Sequence, residues 1–183
     1  YLANTGVGNI GLVDNDTVDL SNLNRQIIFN NSDVGKSKVA QAKKSLNKIN
    51  KKIKVKIYKN RLNENNIKKI LNNYDIICDC SDNFATRYLL NDYSLKNQKT
   101  LISAAISKFD AHVFNFNFKR NVPCYRCFMP ELPDLDNKCD TEGILPTVAG
   151  IAGTLQANEV VKSILDKKNE LVGNCLLYTS PSP

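Results

Sequence analysis

The spacing of apolar positions changes repeatedly along the chain, and each change predicts a new element. Asn9-Ile10-Gly11-Leu12-Val13-Asp14 is a short apolar run ending in a carboxylate, which predicts a strand over 9–14. Gly6 and Gly8 stand just before it and suit a helix end, so the chain is expected to open inside a helix. From 36 to 50, Val39, Ala42, Leu46 and Ile49 recur at helical spacing with lysines on the other faces. Ile53, Val55 and Ile57 then alternate with Lys54 and Lys56, as in a half-buried strand. A helix over 65–72 leads into a strand over 75–80. Ser81-Asp82-Asn83 follows, and its short polar side chains suit the capping of a helix that runs on through Arg87, Leu89 and Leu90.

In the second half, 100–106 reads as a buried strand, and 111–118 as a strand with Phe114, Phe116 and Phe118 on one face. Helical spacing returns over 148–165, where Ile151, Leu155, Val160 and Ile164 are the interior candidates. Strands alternating with helices predict an α/β, Rossmann-like fold. Its sheet is expected to be mostly parallel with helices on both faces, and the Phe-rich strand to be a late antiparallel edge. Residues 119–145 have no period and contain Pro123, Pro130 and Pro133, which marks a crossover loop. Residues 1–178 are read as one Rossmann-like domain, incomplete at its N-terminal side. The Ser/Pro run 179–183 is read as a non-native or disordered tail.

Composition narrows the classes. With 183 residues, 42% hydrophobic and 23% charged, the chain fits a globular domain and excludes fibrous and unfolded readings. It has no uncharged apolar run of about 18 residues and no basic, apolar leader at Tyr1, so no membrane partner and a cytoplasmic location are expected. The net charge of +7 comes mainly from lysines in Asn/Lys-rich text. That text interleaves only Tyr58 with its basic residues, so it reads as a solvated surface suited to an acidic protein partner, not to nucleic acid. Six cysteines without a secretory leader favour metal or thiol chemistry over disulfides.

Asp14 has the position from which a strand-end carboxylate holds ribose hydroxyls in a nucleotide-binding unit. Counting back about 20 residues places the glycine-rich phosphate loop and first strand upstream of Tyr1. Downstream, residues 14–26 pack carboxylates, amides and Arg25 into one short polar segment, and a guanidinium there suits bidentate phosphate contact. This segment resembles the D-x-D-x-V-x-x-S-N-L-x-R-Q signature of the ThiF/MoeB/HesA family, relatives of ubiquitin-activating enzymes. The resemblance continues in order through Val34-Gly35-Lys36-Ser37-Lys38-Val39, Asp79-Cys80-Ser81-Asp82-Asn83 with Arg87, Cys124-Tyr125-Arg126-Cys127, Cys139-Asp140-Thr141-Glu142-Gly143 and Gly153-Thr154-Leu155-Gln156-Ala157.

The resemblance implies a nucleotidyltransferase that adenylylates the C-terminal glycine carboxylate of a ubiquitin-like sulfur carrier, ThiS- or MoaD-like, for thiamine or molybdopterin biosynthesis. The 153–157 segment leans towards the thiamine branch. ATP and Mg²⁺ are the implied cofactors, a homodimer the implied assembly. Carried over, Asp14 holds the ribose, Ser21 and Asn22 orient the nucleotide, Arg25 and Lys38 grip phosphates, and Asp82 binds Mg²⁺ with Asn83 nearby. Arg25, Lys38 and Asp82 are the expected catalytic residues. Cys124 and Cys127 have zinc-ligand spacing, but a closed site takes four ligands. Relatives supply a second C-x-x-C, so zinc is expected in the intact protein. Cys139 is the candidate for a covalent thiol. Cys78 and Cys80 are read as small core residues, and His112 as unsuited to acid–base work. Two other readings stay open: an NAD-dependent oxidoreductase, in which 21–26 would have no purpose, and a non-catalytic interaction module of the same fold.

Overall fold

The computed structural model describes residues 1–131, 143–167 and 171–179. The chain divides into two compact units, Tyr1–Ile70 and Leu71–Pro183. The expected α/β, Rossmann-like organisation is present, with parallel strand pairs and packed helices.

The first unit begins with a single turn where a helix end was expected. Val7 N donates to Leu2 O (3.1 Å) and Gly6 N to Ala3 O (3.3 Å), with Gly6 at φ 85°. That is the hydrogen-bond pattern with which a glycine closes a helix, so the glycine has the expected role over a shorter stretch. β1 (Asn9–Val13) pairs in parallel with β2 (Lys54–Tyr58), Ile10 opposite Val55 and Leu12 opposite Ile57. α1 (Lys38–Ile49) is the connecting helix, right for a parallel crossover. Ala3, Ile53 and Val55 form the core here, with Ile10, Leu12, Leu46 and Ile57 packed against it. Val39 and Ala42 are buried as their spacing predicts, whereas Ile49 is exposed at the helix end. α2 (Ile67–Leu71) closes this part of the chain.

In the second unit, β3 (Ile76–Asp79), β4 (Thr100–Ser107), β5 (Asp110–Asn117) and β6 (Cys175–Thr179) form a sheet in the order β3-β4-β5-β6. β3 and β4 are parallel; β4–β5 and β5–β6 are antiparallel. The Phe-rich strand β5 is therefore antiparallel as expected, but β6 lies outside it and takes the edge. Thr179, the first residue of the expected tail, pairs with Asp110 as the end of β6, and 180–183 lie outside the described residues.

Register sorts the two faces of this sheet. Asp79, Leu101, Ser103, Phe114 and Phe116 share one face, against α3 (Phe84–Lys96) and α4 (Tyr125–Phe128). The opposite face, with Ala111, Val113 and Asn115, meets α5 (Pro146–Ile164). Pro146 opens α5, where its missing N–H costs nothing.

The inward side of α5 differs from the expected one. Val148, Ala152, Gln156, Glu159 and Val160 are buried, while Ile164 is 53% exposed and Ile151 and Leu155 are intermediate. The face turns because two polar side chains have partners inside. Gln156 Nε2 donates to Asp79 O and Ile102 O, both at 2.8 Å, and Glu159 Oε2 accepts from Asn115 Nδ2 (3.2 Å) and Leu171 N (2.8 Å). Glu159 is also ion-paired with Lys162. Cys78 and Cys80 are not core residues. Both are exposed by surface area, Cys78 on β3 and Cys80 just after it, and Cys80 meets Gln156 of α5.

Gln156→Leu keeps the volume of α5 and removes both donors, leaving two strand carbonyls buried. A loss of roughly 2–5 kcal/mol is expected from the cost of unsatisfied buried acceptors, read as a lower denaturation midpoint with an unchanged slope. A stability equal to that of the parent would refute the role given to this amide.

Candidate functional site

The expected nucleotide contacts of the first unit lie on the turn that leaves the C-terminal end of β1. Asp14 follows the last strand residue, donates its N–H to Tyr58 O (3.2 Å), and its Oδ1 accepts from Asp16 N (2.8 Å). One carboxylate oxygen therefore sets the turn. Lys38, the first residue of α1, is brought to this turn twice. Its N–H donates to Asp16 O (3.0 Å), and its ammonium lies 3.2 Å from Asp16 Oδ2. A cation and the strand-end carboxylate are thus brought to one turn across 24 positions of sequence.

Further along, Asp19 caps a 3-10 turn at Leu20–Asn22. Its Oδ1 accepts from Ser21 N (2.8 Å) and Ser21 Oγ (2.6 Å), and Asn22 Oδ1 accepts from Asp19 N (3.3 Å). These bonds hold the Asp19 carboxyl below its usual range, the Ser21 hydroxyl and N–H contributing most. Ser21 and Asn22 consequently spend side-chain capacity on shaping the turn. Arg25 donates from Nη1 to Ser21 O (3.1 Å) and Asn24 Oδ1 (3.0 Å), neutral partners that leave its charge uncompensated. Gln26 Oε1 is buried with no hydrogen-bond partner. Nothing in the sequence pattern marked that atom.

Asp82 and Asn83 belong to the second unit. Asn83 Oδ1 accepts from Thr86 N (2.9 Å) and caps α3, so of the three residues expected to suit capping it is Asn83 that does so. Asp82 stays exposed, and its carboxylate accepts only a long bond from Asn83 Nδ2 (3.3 Å). A hard, solvent-facing oxygen donor after a parallel strand fits the chemistry of a magnesium ligand. A cavity of about 570 Å³ also occurs in this unit. It lies at the opposite end of the strands, where β3 and β4 begin with Ile76 and Thr100, and no expected site residue lines it.

The two thiols of the C-x-x-C turn face each other at 3.8 Å, Sγ to Sγ. A tetrahedral ion with Zn–S of about 2.3 Å sets its ligand sulfurs about 3.8 Å apart, so this pair fits one edge of a zinc site. No group of three or more potential metal ligands occurs among the described residues. Burial pushes the Cys124 thiol up, but N–H groups of Cys127 and Arg126, the Cys127 thiol and Asn91 outweigh it and hold the group below its ordinary value. Arg126 ties the turn to α3 through a bidentate contact with Asp92 (2.8 and 2.7 Å). Cys175 lies on β6, and Cys139 and Glu142 lie outside the described residues. His112 meets Phe114 and Phe128 edge to face, as a member of an aromatic cluster.

Comparisons with known proteins bear on the family and the fold. The ThiF family matches residues 1–183. The chain belongs to that family. Among its curated relatives are an "Adenylyltransferase and sulfurtransferase MOCS3" of Dictyostelium discoideum, 40% identical over 100% of this chain, and a "Probable molybdopterin-synthase adenylyltransferase" of Porphyra purpurea, 42% identical over 98%. The chain spans 43% and 48% of those two proteins, about half their length. Among solved structures, E. coli MccB with ATP superposes with a TM-score of 0.81 at 25% identity, over 98% of this chain and 55% of that one. No helix among the described residues is long and apolar enough to cross a membrane.

Cys78 on β3 and Cys80 just after it give a chemical check on the structure. Burial, with Cys80 and Asp79 adding to it, pushes the Cys78 thiol up to about 12, and burial with Asp79 pushes the Cys80 thiol up to about 11. Cys80 also donates to Gln156 Oε1 (3.3 Å). Alkylation at Cys78, followed by peptide mass spectrometry, should still rise about tenfold per pH unit between roughly pH 9 and 10.5, because only the thiolate reacts. A plateau by about pH 10 would show an ordinary thiol.

Proposed function

We propose that this protein activates the C-terminal glycine carboxylate of a ubiquitin-like sulfur carrier by adenylyl transfer from ATP. The observation that carries the reading is the turn after β1, where Asp14 stands at the strand end and Asp16 draws Lys38 in beside it. The names of the relatives, adenylyltransferases of the MOCS3 and molybdopterin-synthase type, support the reaction class. They also favour a MoaD-like carrier over a ThiS-like one.

In this reading 1–178 act as one adenylation domain. Asp14 holds the ribose hydroxyls, and Ser21 and Asn22 keep the turn in shape beside the nucleotide. Arg25 and Lys38 neutralise phosphate oxygens. The carrier's carboxylate, ionised at neutral pH, attacks the α-phosphorus; the bond to the bridging oxygen breaks, and pyrophosphate leaves with its electron pair. No base is required, so stabilisation of charge on the phosphates dominates the demand on the protein. Asp82 would hold Mg²⁺, with Asn83 fixing the residue beside it; a magnesium ion supplies charge neutralisation to the phosphates when bound. The basic surface suits an acidic carrier, and a homodimer is the assembly we propose.

The test is ATP–pyrophosphate exchange by the full-length protein with a purified carrier ending in Gly-Gly. Exchange should require the carrier, and Asp82→Ala should lower it by about 100-fold or more, the scale seen when a charge-stabilising group is lost. Robust exchange without a carrier would mean a different acyl acceptor, and hydride transfer from NADH would favour an oxidoreductase.

Zinc is the second half of the proposal. Cys124 and Cys127 would supply two of four ligands, with the rest expected from elsewhere in the protein. The 183-residue chain, dialysed extensively, should carry clearly less than one zinc per chain by elemental analysis. Stoichiometric, chelator-resistant zinc would show that Cys139, Cys175 or a second copy completes the site.

A further inference from the structure

Asp79, the last residue of β3, has no exposed surface, and its carboxylate is committed on every side. Oδ1 accepts from Ser81 N (2.9 Å) and Ser81 Oγ (2.6 Å); Oδ2 accepts from Ser103 Oγ (2.7 Å) and lies 3.5 Å from Arg87 Nε. Arg87, itself buried, turns back from α3 and donates from Nη2 to Ser81 O (2.9 Å). The N–H and C=O of Ser81 are thus held by two oppositely charged side chains that also hold each other. Ser81 immediately precedes Asp82, and Asn83 on the other side is fixed by capping α3. Both flanks of Asp82 are therefore pinned while its own carboxylate stays exposed, with only the long bond from Asn83 Nδ2 (3.3 Å).

Arg87 has a third attachment. Nη1 donates to Tyr125 Oη (3.3 Å), and the guanidinium lies over the Phe84 and Tyr125 rings at 5.2 and 5.7 Å. Tyr125 stands next to Cys124, and its N–H donates to the buried Asn91 Oδ1 (2.8 Å). One arginine is shared between the Asp82 loop and the C-x-x-C turn. Burying such a pair desolvates two charges and adds little net stability compared with apolar packing. What the pair adds here is a defined direction for the backbone that carries Asp82.

We propose that Asp79 and Arg87 are positioning residues for Asp82, gripping the Ser81 peptide from both sides and coupling its placement to the C-x-x-C turn. The inference rests on the reading of Asp82 as the metal-binding carboxylate. Neither residue touches the reacting atoms. They set where the metal-binding oxygen can be, so their loss should weaken metal binding without unfolding the unit.

Two measurements on the full-length protein test this. The first is amide hydrogen exchange of the segment 80–83, with α5 as the folding control. Asp79→Asn and Arg87→Gln should raise exchange at 80–83 by about tenfold or more, the signature of a local opening, with α5 protection unchanged. Ser103→Ala, which removes one donor to Asp79 and leaves the ion pair, should give a smaller rise and serves if the charge variants fail to fold. Arg87→Lys keeps the charge without the forked donors and should fall between parent and Arg87→Gln. The second is Mn²⁺ affinity in the presence of ATP, by electron paramagnetic resonance; it should fall about tenfold in Asp79→Asn and Arg87→Gln, a factor of ten being a modest misplacement penalty. Unchanged exchange at 80–83, or exchange raised equally in α5, overturns the grip. Raised exchange with unchanged Mn²⁺ affinity, where Asp82→Ala abolishes binding, overturns the positioning. If Asp82→Ala leaves Mn²⁺ affinity intact, the metal role of Asp82 falls, and the exchange at 80–83 still decides the grip on its own.

Discussion

A carboxylate sealed from water at the end of a strand is the constraint around which the second unit is arranged. A carboxyl group buried there needs partners for its oxygens. The donors come from the next turn (Ser81) and the next strand (Ser103), and the next helix supplies the opposite charge of Arg87, 3.5 Å away. Satisfying one side chain therefore fixes the exit of β3, the pairing partner β4 and the rotation of α3. Tyr125 and the turn bearing the two facing thiols are placed through the same arginine. On the other side of the sheet Gln156 does comparable work for backbone rather than side-chain acceptors, joining β3 to β4 across their shared ladder.

Much of the strand and helix order was legible because it rests on period. Ile53, Val55 and Ile57 alternate and lie inward, and Val39 and Ala42 repeat at helical spacing and are buried. Asn83 was legible as a cap from residue type alone. The errors cluster where polar groups go inside. Periodicity ranks apolar residues, so it chose Ile151 and Ile164 for the interior of α5 and passed over Gln156 and Glu159. Cys78 and Cys80 were misplaced for a different reason: residue type and strand period do not say how far neighbouring side chains cover a small thiol.

The site was legible at the level of motif and not of geometry. The spacing of Asp14, Arg25 and Lys38 named the segment, but only coordinates show that Asp16 is the residue that draws Lys38 in. Asp19 likewise looked like one carboxylate among several until its bonds to Ser21 made it the organiser of the turn. Residues that shape a site without facing a ligand leave little trace in a motif, since their partners are backbone groups any sequence would supply.

The two faces of β5 make strand pairing self-checking. Phe114, Phe116 and Phe118 stack along one face, at 5.3 and 5.9 Å between ring centres, while Asn115 on the other reaches the buried carboxylate of Glu159. A slip of one residue exchanges every side chain between faces. It would press a phenyl ring onto a buried carboxyl group and strand an amide among aromatics, two faults at once. A misaligned hairpin would thus be rejected by its own chemistry when α5 docks on it.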